Sequence, residues 1–461
     1  MLAIVVSRTD PASANIGERL LEVADWTERV DDDRPDADGG DTVYRTGGAE
    51  LREFEGRHLE LDDAADAFTN PYTESERAAS TPELLVFASK HAGETGQLLT
   101  AHHTGNFGEA EYGGESGHFA RAAPNAHKAV IDALAEHAPE GYDVGMECTH
   151  HGPTDVGVPS LFVEVGSAEP QWRDPDAARA AARAILDLCD LSPDAGSENG
   201  THRQLVGFGG GHYVPRFERV VRETDWAVGH IGADWCLDAL GAWCDSDTHA
   251  GAVIERAFAE SGAEYALVTG DHPDLVERIE SLGYRVVGER FLHETTGVPL
   301  SLVDGLEAAV APVSDGLRFG DGATDPGEWQ VVELPEELLA EATGIDPDAV
   351  RSWFETNTVA FGTEQQGTVV TGPVVLDESS ERAAVVDALA DVLTQRYDSV
   401  ERDDNELRAS EQRFDPELAA TLGVPEGPKY GRLSAGQSVE VDGREIRPET
   451  VQRERIRRFT L

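Results

Sequence analysis

The chain has 461 residues, with 88 acidic side chains against 37 basic ones and a formal net charge of −51 at pH 7. A 40% hydrophobic fraction and recurrent apolar runs exclude wholesale disorder and predict roughly two to four domains. No stretch reaches the ~20 apolar residues that cross a bilayer, no signal-like leader is visible, and Cys148, Cys189, Cys236 and Cys244 form no CxxC pair, so the expectation is a cytoplasmic protein without a disulfide framework, and a monomer because nothing resembles an exposed apolar helix stripe.

In chain order, LAIVV (2–6), LLVFAS (84–89), the run ending at Thr100, DVGMECT (143–149), SLFVEV (160–165) and QLVGF (204–208) predict strands. Helical patterns fall between them near 13–24, 120–137 and 175–189, the last entered through Asp174-Pro175. The alternation predicts an α/β fold, a mostly parallel sheet flanked by helices, in which ligands gather beyond the carboxyl ends of strands. Residues 25–75 read as an irregular acidic insertion. Within it, Asp31 to Asp41 looks superficially like a calcium loop, but the EF-hand spacing is missing.

The pattern breaks at 311–328 (APVSDGLRFGDGATDPGE), which reads as a linker between a domain over 1–310 and a smaller α+β extension over 329–461. Helices are expected there at 335–342 and 380–396. From Lys429 onward, eight basic residues face five acidic ones. That local inversion fits either a basic helix end docked on an acidic body or a contact with a polyanion.

Only Lys90, Lys128 and Lys429 are lysines, so arginine supplies nearly all the positive charge. A surface rich in carboxylates and poor in lysine suits a chain hydrated in molar salt, where repulsion is screened within about 3 Å.

Eleven of the 15 histidines fall between 91 and 230, mostly beside glycine just after a predicted strand. They occur in SKH (89–91), AHHTGNFG (101–108), ECTHHGP (147–153) and GFGGGHYVPR (207–216), with VGH ending at His230. Imidazoles with carboxylates at strand ends, here Glu147 and Glu164, are the groups from which a metal site or an acid/base pair is built. A lone histidine would more often be a hydrogen-bonded core residue, but four junctions repeat the arrangement. Adjacent histidines on a strand face opposite sides, so His150 and His151 can share a site only if the backbone turns, as Gly152-Pro153 would make it. The spacing is not HExxH. Imidazole and carboxylate ligands suit zinc, whose bound water ionises near pH 7, and hydrolysis is the reaction class that follows. Gly209-Gly210-Gly211 could turn backbone N–H groups toward a phosphate or an oxyanion, although no GxxxxGK[ST] is present. Cys148 reads as a packed thiol.

Taken together, SKH, HHTGNFG, YGG, ECTHHGPT, VPSLFVEVGS and GGGHYVPR resemble the D-aminoacyl-tRNA deacylase family of archaea and plants. The likeness covers residues 1 to about 305 and includes VVSRTDPASANI and VGHI. It implies hydrolysis of the ester joining a D-amino acid to tRNA, zinc as cofactor with more than one ion, and a fold similar to peptidyl-tRNA hydrolase and nucleoside phosphorylase α/β domains. The residues it singles out are His91, His102, Asn106, Glu147, His150, His151, Glu164, Gly209, Gly210, Gly211 and His212. Among these we expect His212, Glu147 and His151 in acid/base roles, and His91, His102, His150 and Glu164 on metal. Substrate contacts are expected from Asn106, the three glycines, Lys90 and Arg216, with tRNA as the partner and neither DNA nor membrane. The segment GPKYGRLSAGQSVEVDG resembles a stretch of tRNA 3′-processing endonucleases, which points to tRNA contact near Lys429 and Arg432. The rival readings are a nucleoside phosphorylase-like or other metal hydrolase of a small molecule, and a non-catalytic tRNA-binding module.

Overall fold

The computed structural model describes residues 1–69, 82–243, 246–324, 327–403 and 405–461. They form two compact units, Met1–Thr296 and Gly297–Leu461. Among the described residues, no helix is long and apolar enough to cross a membrane.

The first unit is built on an eight-stranded sheet of β1 (Leu2–Ser7), β2 (Thr27–Asp31), β3 (Asp41–Arg45), β4 (Ala49–Phe54), β5 (Leu84–Lys90), β6 (Leu98–His102), β7 (Asp143–Met146) and β8 (Ser160–Gly166). Their spatial order is β2-β3-β4-β1-β5-β8-β6-β7. The central run from β4 to β8 is parallel, β6 runs antiparallel to β8, and β2, β3 and β4 form an antiparallel meander at one edge. All residues of β1 are buried and most of them apolar, as a strand covered on both faces requires. Helices Pro11–Val23 and Pro175–Leu186 cover one side. Each has an aspartate, Asp10 or Asp174, accepting the first free backbone N–H groups, and proline at its start. The alanine-rich face of the second helix lets the two approach closely.

The span 25–75 is not irregular, as far as it is described; residues 70–75 lie outside the described set. Residues 27–54 supply three strands of the main sheet. Their charges hide the strand pattern because they pair with one another: buried Arg52 reaches both Glu50 (2.5 Å) and Asp31 (2.6 Å), and Arg45 also holds Glu50. An ion cluster paired in this way substitutes for an apolar strand face, with only Nη2 of Arg52 left without a hydrogen-bond partner in it.

A short antiparallel pair, β9 (Ser197–Glu198) and β10 (Thr201–His202), leads into a second sheet. This contains β11 (Gln204–Phe208), β12 (Ala227–Gly232), β13 (Tyr265–Val268) and β14 (Arg285–Val287), ordered β12-β11-β13-β14 and wholly parallel. The loops of the two sheets are tied by backbone: Glu147 bridges Tyr213, and Cys148 N–H donates to the His212 carbonyl at 2.9 Å. That tie brings chemistry from two sheets to one place.

In the second unit, Leu317–Phe319, Ala360–Glu364, Val369–Asp377 and Trp329–Val332 form an antiparallel sheet. It packs with helices Glu336–Ile345, Pro347–Asn357 and Arg382–Leu393 around Leu338, Phe354, Phe361 and Leu393. Within the span expected as a linker, Leu317–Phe319 is therefore a paired strand, and the division between units falls at 296/297. The basic end is a strand, Gln452–Thr460, paired antiparallel with Glu406–Phe414. Arg453 pairs with Asp415, Arg457 with Glu341 and Arg458 with Glu406.

Candidate active site

A cavity of about 790 Å³ opens beside the carboxyl ends of β1 and β5, lined in part by Lys90, His91, Glu147, His150, Glu164 and His212. The strand register explains the convergence. Thr100 lies opposite Glu164 and His102 opposite Phe162, so at the two-residue period of a strand Glu164, Phe162 and His102 share a face. His91 follows β5 directly, and its ring occupies space that only glycine leaves free: a Cβ on Gly166 would stand 2.6 Å from its Cδ2. Trp172 donates its indole N–H to the His91 carbonyl at 2.8 Å and fixes the backbone there.

Glu147 is the centre of the polar network and is 1% exposed. Its Oε2 accepts from His212 Nε2 at 2.6 Å and lies 3.8 Å from His150 Nε2. His91 Nδ1 stands 3.1 Å from Oε1 but outside hydrogen-bond geometry, leaving that buried oxygen unsatisfied. Burial works to raise the Glu147 carboxyl, but the bond from His212 and the close approach of His91 outweigh it and hold it well below the usual range. Burial works in the opposite direction on His91, lowering it, yet Glu147 and Glu164 raise it to about 10. His212 is raised to about 9 by its contact with Cys148 and by Glu147, against burial. The Tyr213 hydroxyl meets His91 Nε2 at 2.9 Å, so a polar chain runs from Tyr213 through His91 and Glu147 to His212.

A second arrangement adjoins it. His102, His150 and His151 place their rings 4.2 to 4.9 Å apart, and each Nδ1 meets a backbone carbonyl, of His103 (3.0 Å), Cys148 (2.8 Å) and Gly152 (2.7 Å). A carbonyl only accepts, so each Nδ1 carries a proton and, in a neutral ring, Nε2 is left as a lone pair. His102 Nε2 has no hydrogen-bond partner although the residue is fully buried. Burial keeps His150 and His151 neutral, the latter at about 4. His102 feels the same burial, but Glu164 at 3.8 Å reverses the direction and raises it. The expected turn is real: His151 has φ +48°, which swings its ring beside that of His150. Among the described residues, three groups could hold a metal ion: His102/His150/His151, Cys148/His150/His212 and His91/Glu147/Glu164, with ligand atoms within 4.8 Å in each.

The structure thus brings His91, His102, Glu147, His150, His151, Glu164, His212 and Lys90 together. Asn106 lies elsewhere, donating to the Gly113 and Glu115 carbonyls within its own loop. Two of the three N–H groups of the triple glycine are already taken up within the chain. Gly209 N–H is used by Gly232, Gly210 N–H by the Asp234 carboxylate, and Gly209 is required because a Cβ would strike the Thr269 carbonyl at 2.1 Å. Arg216 is occupied by Glu289 on the surface. His103, His127 and His230 form a separate buried group in which every ring nitrogen except His127 Nδ1 bonds a backbone carbonyl, a backbone N–H or Thr149, a packing role. Sequence reasoning missed His58, Asp10 and Tyr213. His58 lines the cavity edge-on to Phe87 and Phe162, Asp10 caps its helix, and Tyr213 stood in the HYVPR motif next to the histidine that drew attention.

The sequence pattern described as D-aminoacyl-tRNA deacylase matches residues 78–287. A D-aminoacyl-tRNA deacylase of Haloarcula marismortui is 61% identical over 100% of both chains, and one of Halorubrum lacusprofundi is 55% identical over 100% of this chain and 97% of its own. A crystallised conserved protein of unknown function is 27% identical with a TM-score of 0.53, covering 64% of this chain and 98% of that one.

Proposed function

Because this chain belongs to the D-aminoacyl-tRNA deacylase family, we propose that the cavity around Glu147 is where it hydrolyses the ester between a D-amino acid and the terminal ribose of tRNA. The activity is that of a hydrolase acting on ester bonds, and it releases the free amino acid and a reusable tRNA. The observation that carries the assignment is the buried carboxylate with one unsatisfied oxygen, backed by an imidazole at 2.6 Å.

An aminoacyl ester is already activated, so a positioned water and a proton route suffice without a covalent intermediate. Glu147 takes the proton from water through its carboxylate. His212 holds a proton at Nε2 against Oε2 of Glu147, which keeps the carboxylate ionised and oriented. His91 and Tyr213 extend the chain to the exposed edge and give the departing ribose oxygen a proton source. Lys90 lines the cavity and adds positive charge beside Asp10 and Glu164.

His102, His150 and His151 would hold a zinc ion, which supplies a Lewis acid and lowers the pKa of a bound water toward 7. The fit rests on the three carbonyl-anchored Nδ1 atoms and the unpartnered Nε2 of His102. This moves His151 from the acid/base group to the ligands. A second ion at His91 and Glu164 would take the Glu147 oxygen needed as base, so His91 and Glu164 are assigned to orienting and charging that network. The likeness to peptidyl-tRNA hydrolase and nucleoside phosphorylase domains rests on the resemblance alone, and the mechanism does not use it. For the net-positive end of the second unit we propose a tRNA contact, although Lys429 and Arg432 already donate to the Glu440 and Ser438 carbonyls.

The test is release of tyrosine from D-tyrosyl-tRNA and L-tyrosyl-tRNA in molar KCl. Preferential release from the D-ester supports the proposal; equal rates, or binding without turnover, contradict it.

A further inference from the structure

Among the described residues the exposed large hydrophobic side chains are Val30, Tyr112, Tyr213, Trp235, Val331 and Ile456. Each of the three aromatic ones either lines the cavity or contacts a residue that does. Tyr112 lines it, Tyr213 bonds His91, and the Trp235 ring lies 6.4 Å from that of His212 at an interplanar angle of 26°. Trp235 is 47% exposed beside His212, a residue that forms the cavity wall. Scattered exposed aromatics need no explanation; three around one reaction site do.

The charge makes the clustering meaningful. At −51 the chain repels a phosphate backbone, and in molar salt counterion release adds little to RNA affinity. Stacking of a base on an aromatic face depends on neither. Geometry narrows the occupant further. If the ester lies at Glu147, its ribose lies beside His212, and the base on that same ribose must lie against the neighbouring wall. Trp235, partly exposed and with its ring facing His212, is an aromatic surface within reach of that position.

We propose that Trp235 is the stacking platform for the nucleobase of the esterified 3′-terminal nucleotide of tRNA, a role that rests on the deacylase reading of the cavity. Trp235 then supplies binding and register at the site itself, without relying on charge in a chain whose net charge is −51.

The experiment compares wild type, Trp235→Ala and Trp235→Phe on two substrates in molar KCl: D-tyrosyl-tRNA, and the same ester on tRNA whose terminal nucleotide lacks its base. On the intact substrate, Trp235→Ala is expected to lower kcat/KM by about 5- to 150-fold, the equivalent of ~1–3 kcal/mol per stacked base, mainly through KM. Trp235→Phe is expected to recover most of the loss. On the abasic substrate, wild type and Trp235→Ala should be equal. An equal loss on both substrates would overturn the proposal, because Trp235 would then support the enzyme or the amino acid. No loss on either would overturn it as well. If wild type released no D-tyrosine from the intact substrate, the deacylase reading itself would fail, a result distinct from a missing stack.

Discussion

Replacing Glu147 by glutamine keeps the shape of the side chain and removes its charge. Two imidazoles press on this carboxylate, His212 at 2.6 Å and His91 at 3.1 Å, and it is almost fully buried. The substitution therefore separates catalysis from architecture. Loss of a positioned base lowers kcat by about 10²- to 10⁴-fold. Exchanging a charge-assisted hydrogen bond for a neutral one removes only about 1 kcal/mol of stability, the difference between roughly 2 and roughly 1 kcal/mol per bond. The prediction is a collapse of single-turnover release from D-tyrosyl-tRNA in molar KCl with a small change in Tm and unchanged metal content. A rate within about tenfold of wild type would refute the role of Glu147 as base. Loss of metal along with activity would instead make Glu147 a ligand.

Further outcomes follow from other contacts. Gly166→Ala should push the His91 ring away, since the added Cβ would lie 2.6 Å from Cδ2, and should cut kcat at least tenfold, about 1.4 kcal/mol of barrier; unchanged kinetics would show that the ring position is not needed. His102→Ala should abolish stoichiometric metal binding measured by elemental analysis, while retention of one full equivalent would place the metal away from the three-imidazole group. Burial holds His127 at about 4 and His230 at about 3, so both are neutral when folded and titrate near 6.5 when unfolded. The stability tied to them is complete above about pH 6.5 and is lost as pH falls toward 4, by up to ~1.4 kcal/mol per unit for each group. Thermal melts between about pH 7 and pH 5 should show the Tm falling; a flat profile would contradict the assignment.

Much of this arrangement was legible in the sequence. Apolar runs gave β1, β5, β6, β8 and β11 to within one or two residues, apart from the unmarked start of β6, because strands buried on both faces leave little room for other residues. The site histidines were legible because they recur at strand ends, and the turn at His150-His151 because adjacent residues on a strand cannot face one way. What stayed hidden depended on pairings distant in sequence. The meander of β2 to β4 looks like a loop until Arg52 is seen between Glu50 and Asp31. The triple glycine looks like an anion loop until the Gly210 N–H is found on the Asp234 carboxylate and the Gly209 N–H on the Gly232 carbonyl. Nothing local separates His102, facing the site, from His103, facing a packing cluster; the strand alternation states that they diverge but not which way.

The most direct measurement is a crystal structure with a non-hydrolysable mimic, D-tyrosine joined by an amide to the 3′ position of adenosine. The account predicts the amide carbonyl inside the 790 Å³ cavity, within one water of the Glu147 carboxylate and beside His212. An analogue seated on any other surface, with the cavity empty, would contradict it.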